Sequence, residues 1–139
     1  MEKDLYFLIY RSTETRKLSV QEMNKLVRNA QHFNKIKNIT GILIYKSGTY
    51  VQYIEGKKVD IIMLYEKLLR DKRHHSINLL ERKSISKRRF SKWAMLLKFI
   101  TSKQIIEIEK AYNVTSSIKN KGSNEVDLLK KLIYDFEHN

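Results

Sequence analysis

The sequence predicts an α+β domain with the ferredoxin-like order β-α-β-β-α-β-β, two helices on one face of the sheet, and a C-terminal helical extension. Three observations predict it. Two short apolar runs, Ile39–Tyr45 and Tyr50–Ile54, flank Lys46-Ser47-Gly48-Thr49. Ser-Gly between β-rich runs marks a hairpin, because glycine takes the positive φ that a tight turn demands. A stretch of helical apolar spacing lies on each side of that hairpin, and further β-rich runs stand at both ends. That order packs two helices on one sheet.

Leu5–Tyr10, LYFLIY, is a strand short enough to be buried on both faces. Alternation puts Tyr6, Leu8 and Tyr10 on one face and Leu5, Phe7 and Ile9 on the other. Arg11–Lys17 is polar and reads as a loop. A full helix start follows. Ser19 is the N-cap, Glu22 closes a capping box, and Leu18 can staple onto Met23. Met23, Leu26, Val27, Ala30 and Phe33 form one face, so this helix runs to about residue 34.

After the hairpin, Val59–Arg70 carries the stripe Ile61, Leu64, Tyr65 and Leu68, and Asp71–His75 ends it in a polar turn. Ile77–Glu81 and Trp93–Ile100 are expected strands, the latter with Trp93, Met95 and Leu97 on one face. Ser102–Tyr112 and Glu125–Phe136 read as helices, separated by a Ser-, Asn- and Lys-rich stretch at Asn113–Asn124. The second is too short to fold alone and must dock onto the sheet or another subunit. The expected division is a domain over residues 1–101 and an extension over 102–139.

Composition narrows the function classes. Among 139 residues 42% are hydrophobic, which is globular, and there is no cysteine for a disulfide, a thiolate or a Cys-type zinc site. No apolar run reaches the ~18–20 residues of a membrane span, and MEKDLYF lacks a signal peptide's apolar core. A cytoplasmic protein is expected, with no membrane partner. The net charge of +13 permits nucleic-acid contact without requiring it. Its densest patch, Arg82–Lys92, reads as a solvated basic face.

Familiar catalytic signatures are absent: no G-x-G-x-x-G, P-loop, H-E-x-x-H or G-x-S-x-G. His74-His75, at i,i+1, does not put two rings on one metal. What remains is polar groups on apolar elements: Tyr10 ending the first strand, Gln52 within a strand, and Asn34 ending the first helix. Trp93 and Met95 begin the last strand. An amide in an apolar strand needs a partner or costs about 1–3 kcal/mol. Gln52 therefore either faces water on an edge strand or points into a site with a partner there. Taken singly, each of these residues is more often core or cap than ligand. Together they suggest a tyrosine–glutamine pair beside a flat aromatic ligand between two helices.

Six motifs in order make the chain recognisable: LIYRS at Leu8–Ser12, FN at Phe33–Asn34, NITGIL at Asn38–Leu43, YVQYIEG at Tyr50–Gly56, RDKRHH at Arg70–His75 and FSKWAM at Phe90–Met95. Over about residues 4–100 the chain resembles the BLUF family of blue-light sensors that use flavin. The resemblance implies a non-covalent FAD held between the helices, with Tyr10 and Gln52 as the photoactive pair. It places Asn34 on the flavin pyrimidine ring, and Asp71, Arg73 and His74 on the ribityl and phosphate side. Lys67 stands where some relatives have Arg, and Phe33 where many have a second polar residue. Ser12 matches a neighbour that tunes the tyrosine, and Trp93 and Met95 the pair linked to signalling. The implied output is not enzymatic. An electron leaves Tyr10, Gln52 bridges the proton, and the altered amide biases the last strand and the C-terminal helices. A short, stand-alone type of this family would signal through a partner protein and form homo-oligomers. The rivals are a basic RNA- or DNA-binding module, which would stack bases on exposed sheet aromatics, and a flavin enzyme, for which the sequence offers no candidate acid or base aimed at a substrate cavity.

Overall fold

The computed structural model describes residues 2–99, so both expected helices beyond Thr101 lie outside the described residues. The hairpin turn is where glycine placed it. Ser47 (φ 44°) and Gly48 (φ 86°) both take positive φ, the two-residue geometry that matches strand twist. It joins β2 (Thr40–Lys46) to β3 (Thr49–Lys57). Ahead of them stand β1 (Leu5–Glu14) and α1 (Val20–Lys37), and behind them α2 (Lys58–Leu69), β4 (His74–Ser84) and β5 (Leu96–Phe99). The sheet order is β4-β1-β3-β2-β5, with β5 parallel to β2 and the other pairs antiparallel. Neither helix is long and apolar enough to cross a membrane.

The capping box of α1 forms as expected, with Ser19 Oγ accepting from Glu22 N–H at 3.1 Å and Glu22 accepting from Ser19 N–H at 3.0 Å. The helix runs three residues past 34. It stops where Asn38 turns left-handed (φ 55°) and caps the carbonyls of Asn34 and Lys35.

Two cores sit on the two faces of the sheet. On the helix face, Tyr6, Leu8 and Tyr10 pack with Ile54 against Ile61 and Leu64 of α2. Beside them, Met23 and Val27 of α1 cover Leu43, Tyr50 and Met95. On the far face, Phe7, Ile9, Ile42, Val51 and Tyr53 lie under Phe90, with Ile85 and Trp93 packed alongside. The connection from β4 to β5 thus closes the face opposite α1 and α2.

Three of the boundaries that differ from expectation do so for a backbone reason. β1 continues through Arg11–Glu14, expected as loop, because Thr13 and Glu14 pair with His75 and His74. β4 accordingly starts at His74 and absorbs the last two residues of the expected polar turn. Polar composition hid both extensions, since their hydrogen bonds are main-chain ones. The last strand starts at Leu96, three residues after the expected Trp93. Trp93 N–H donates to Phe90 C=O at 3.0 Å, and Trp93 C=O accepts from Gly41 N–H at 3.0 Å. These groups serve a turn and a side link, so strand alternation begins only at Leu96. Trp93 therefore does not share a face with Met95. Trp93 packs on the far side and Met95 beneath α1.

The basic patch is also more than a solvated face. Arg88 is nearly buried and donates to Asn38 C=O at 2.8 Å and Thr40 Oγ1 at 3.0 Å, while pairing with Glu2 at 2.8 Å. The far-face rings of Phe7, Tyr53 and Phe90 are buried, which leaves them unable to stack bases.

Two stability tests follow from this packing. A Cβ on Gly41 would stand 2.1 Å from Tyr53 C=O. Gly41→Ala should thus cost about 3 kcal/mol or more in urea unfolding, above ordinary overpacking; a wild-type midpoint would contradict the close approach. The Arg16 guanidinium, with Ser19 N–H, holds the Glu22 carboxyl down at about 2. A depressed carboxyl stabilises fully above its unfolded value, ~4.3, and loses that contribution as pH falls through the folded value. The Tm deficit of Glu22→Gln should therefore be largest above about pH 5 and fade towards pH 2. A deficit that ignores pH would mean the ion pair is not its source.

Candidate functional site

The register of β1 against β3 sets Tyr10 directly across from Gln52, in the middle of the sheet and on its helix face. β3 has a neighbour on both sides, so Gln52 is not on an edge facing water. Above the pair, α1 and α2 diverge and leave a cleft of about 340 Å³, within the size range of small-ligand sites. Tyr10, Gln52 and Met95 line its floor, Asn34 its α1 wall, and Lys67, Asp71, Arg73 and His74 its α2 side and mouth.

The floor is a short polar chain in an apolar setting. Tyr10 hydroxyl donates to Gln52 Oε1. On the other end of the amide, Nε2 donates to Met95 Sδ at 3.7 Å. Burial pushes the Tyr10 phenol far above its ordinary range, and the nearby Asp71 carboxylate adds to this. Tyr10 is consequently held as a neutral phenol. Its ring leans against Tyr65 and meets His74 edge-on.

Behind Tyr10, Ser12 is fully buried and meets His74 Nδ1 at 2.8 Å. His74 Nε2 lies 2.6 Å from Leu68 C=O at the end of α2. A carbonyl only accepts, so Nε2 carries a proton. In the neutral ring Nδ1 then accepts from the Ser12 hydroxyl. Both ring nitrogens are thus engaged within the protein, and His74 lines the cleft as a brace between β1 and α2.

Asn34 is 1% exposed. Its Nδ2 donates to Ala94 C=O at 2.6 Å, while its Oδ1 meets no donor among the described residues. One hydrogen of Gln52 Nε2 likewise has no acceptor among them. Buried amide groups of this kind, turned to a cleft with apolar walls, suit a planar ligand whose edge carries both donors and acceptors. At the mouth, Arg73 grips Asp71 through two nitrogens and draws that carboxyl below its ordinary range. Lys67 Nζ stands 4.3 Å over the Phe33 ring, a cation–π contact joining two positions that looked independent in the sequence.

Of the expected residues, two do not line the cleft: Ser12 is buried behind Tyr10, and the backbone of Trp93 serves the turn to Phe90 and the link to Gly41. Sequence reasoning missed Gln31, whose Nε2 donates to Met95 C=O at 2.9 Å, and the wholly buried Glu55. Alternation along β3 could have found Glu55, since it follows Val51 and Tyr53 onto the buried far face.

The family model described as "Sensors of blue-light using FAD" matches residues 5–96. The chain belongs to the BLUF family. Among curated BLUF relatives, the photoactivated adenylate cyclase subunit beta of Euglena longa is 32% identical over 95 residues, 68% of this chain but 11% of that protein. The blue light- and temperature-regulated antirepressor BluF of Escherichia coli K12 is 32% identical over 90 residues, 65% of this chain and 22% of that protein. The chain thus matches a small part of the length of these relatives. Solved BLUF structures cover it more evenly. The dark state of BlrB aligns with TM-score 0.76 at 25% identity, over 95% of this chain and 97% of that one. The photo-activated state of BlsA aligns at 0.77 and 25%, over 93% and 94%.

The Asn34–Ala94 contact is testable without any ligand. Asn34→Ala leaves a half-buried carbonyl without its donor, and should cost about 1–2 kcal/mol in chemical unfolding. An unchanged midpoint would show that this hydrogen bond does not form in solution.

Proposed function

We propose that this chain is a blue-light photoreceptor that binds FAD non-covalently between α1 and α2 and signals by rearranging the hydrogen bonds of Gln52. The observation that carries the reading is the Tyr10–Gln52–Met95 chain on the cleft floor. An oxidisable phenol there touches an amide that can both accept and donate, and that amide reaches a residue just ahead of the last strand.

Bound flavin would supply the light absorption and, when excited, an oxidant strong enough to take an electron from a phenol. The protein residues supply position and a proton path. Burial keeps Tyr10 a neutral phenol, so the electron leaves a protonated ring and the proton can follow only along a bridge. Gln52 Oε1 is the acceptor already in contact with that proton. When both return to Tyr10, the amide is left rotated or as its tautomer. Either form presents a different donor to the ligand edge, which gives a small red shift. Met95 Sδ then loses its partner or gains another.

Asn34 would hold the pyrimidine edge through its Oδ1. Lys67 and Arg73 stand at the mouth as cations for a phosphate-bearing tail, with Asp71 orienting Arg73. Ser12 and His74 brace Tyr10. Output passes through Met95, Trp93 and β5 to the residues that follow, and from there to a partner protein, with the chain acting as a homo-oligomer. That similar proteins include a photoactivated cyclase and a light-regulated antirepressor supports a sensor that acts on an effector.

The protein purified from cells should be yellow. Released flavin should have the mass of FAD; FMN would correct the cofactor. A blue pulse should move the absorption to the red by a few per cent of its energy, reversing in darkness. Tyr10→Phe and Gln52→Leu should keep the flavin and lose that shift, and a normal photocycle in either variant would refute the roles assigned to the pair.

A further inference from the structure

Met95 can serve as the partner of Gln52 only if it is held in one place, yet it lies outside the ladder. β5 begins at Leu96, and the eleven residues between β4 and β5 form an irregular strap that wraps from the far face round to the cleft. Its near end is held by α1. Gln31 donates to Met95 C=O at 2.9 Å and Asn34 to Ala94 C=O at 2.6 Å. Its far end is tied by Ile85 N–H to Leu5 C=O and by the Arg88 guanidinium to Asn38 C=O and Thr40 Oγ1, and two of its consecutive backbone N–H groups are held by Glu55. Glu55 Oε1 accepts from Arg89 N–H at 2.8 Å, and Oε2 from Phe90 N–H at 2.7 Å.

That carboxylate is fully buried. Its two other contacts are Tyr53 hydroxyl at 2.9 Å and Thr40 hydroxyl at 2.7 Å. All four neighbours donate, and they saturate a carboxylate that only accepts. A buried charge is costly unless so satisfied. From Phe90 the restraint is carried onward: Phe90 C=O accepts from Trp93 N–H, and Trp93 C=O from Gly41 N–H, both at 3.0 Å. Glu55 and Gln52 stand three residues apart on β3 and point to opposite faces. One strand therefore carries both the amide that senses the cleft and the anchor of the strap that presents Met95 to it.

Resting on the photoreceptor reading, we propose that Glu55 is a positioning residue of the light switch. By fixing the backbone of Arg89 and Phe90, it sets where Met95 Sδ meets Gln52 Nε2. The resting network to which the lit state must return includes that sulfur. A loosened strap withdraws it and slows the return.

The test uses the full flavin-loaded chain and follows dark recovery after a blue pulse. Glu55→Gln keeps the shape, but only one of its two terminal atoms can accept, so one strap N–H loses its partner. Recovery should slow by about three- to tenfold, equivalent to a modest rise in barrier, with flavin content and the red shift retained. Gln31→Ala, which loosens the other end from an accessible helix face, should slow recovery in the same direction. Ile61→Val, buried on the opposite face beneath α2 and away from the strap, should lower Tm and leave recovery at the wild-type rate. Wild-type recovery in flavin-loaded Glu55→Gln overturns the proposal, as does equal slowing in Ile61→Val, which would tie recovery to stability alone. If Glu55→Gln fails to hold flavin, Gln31→Ala decides, and wild-type recovery there overturns it. Absence of any light-induced shift in the wild-type protein would instead remove the photoreceptor reading itself.

Discussion

A hydrogen bond between a phenol on one strand and an amide on the next is the constraint to which the rest of this molecule answers. Tyr10 and Gln52 meet because β1 and β3 are antiparallel neighbours in one fixed register. A slip of either strand by one residue would send its side chain to the opposite face and part the pair. The two-faced burial of the sheet prevents the slip. Phe7 and Ile9 are as firmly committed to the far core as Leu8 and Tyr10 are to the helix side. Burial thus does double duty. It fixes the geometry of the pair and keeps the phenol protonated.

The helices answer to the same constraint from above. The capping box orients the start of α1, and Asn38 in its left-handed turn ends it, so Asn34 falls at the cleft wall with one amide atom committed to Ala94. At the end of α2, His74 ties Leu68 back to Ser12, which shares a face of β1 with Tyr10. No single one of these contacts is large in energy. Their effect is to leave few ways for the cleft to rearrange other than through the glutamine and the strap beside it.

What could be seen in the sequence follows which atoms carry the information. Side-chain patterns announced the hairpin, both helices, the facing of β1 and the residues of the cleft floor. Main-chain pairing announced nothing. Thr13, Glu14, His74 and His75 form ladder rungs under side chains that read as loop. Trp93 and Met95 looked like alternate positions of a strand, but their backbone groups go to Phe90, Gly41 and Gln31, so no period applies to them. Glu55 was legible in principle, as a charge on a face otherwise filled by Val51 and Tyr53. The Phe33–Lys67 contact was not, because it joins two helices whose separation no local pattern encodes.

The strand proposed to receive the signal, β5, runs parallel to β2 at the rim of the described sheet. Parallel pairing is the weaker kind per residue. Within the described sheet β1 and β3 each have a neighbour on both sides, whereas β5 pairs with β2 alone. Local opening is easiest where fewest ladder bonds must break. On the proposed function, a transmitter built this way would displace its outermost strand while the Tyr10–Gln52 centre stays assembled.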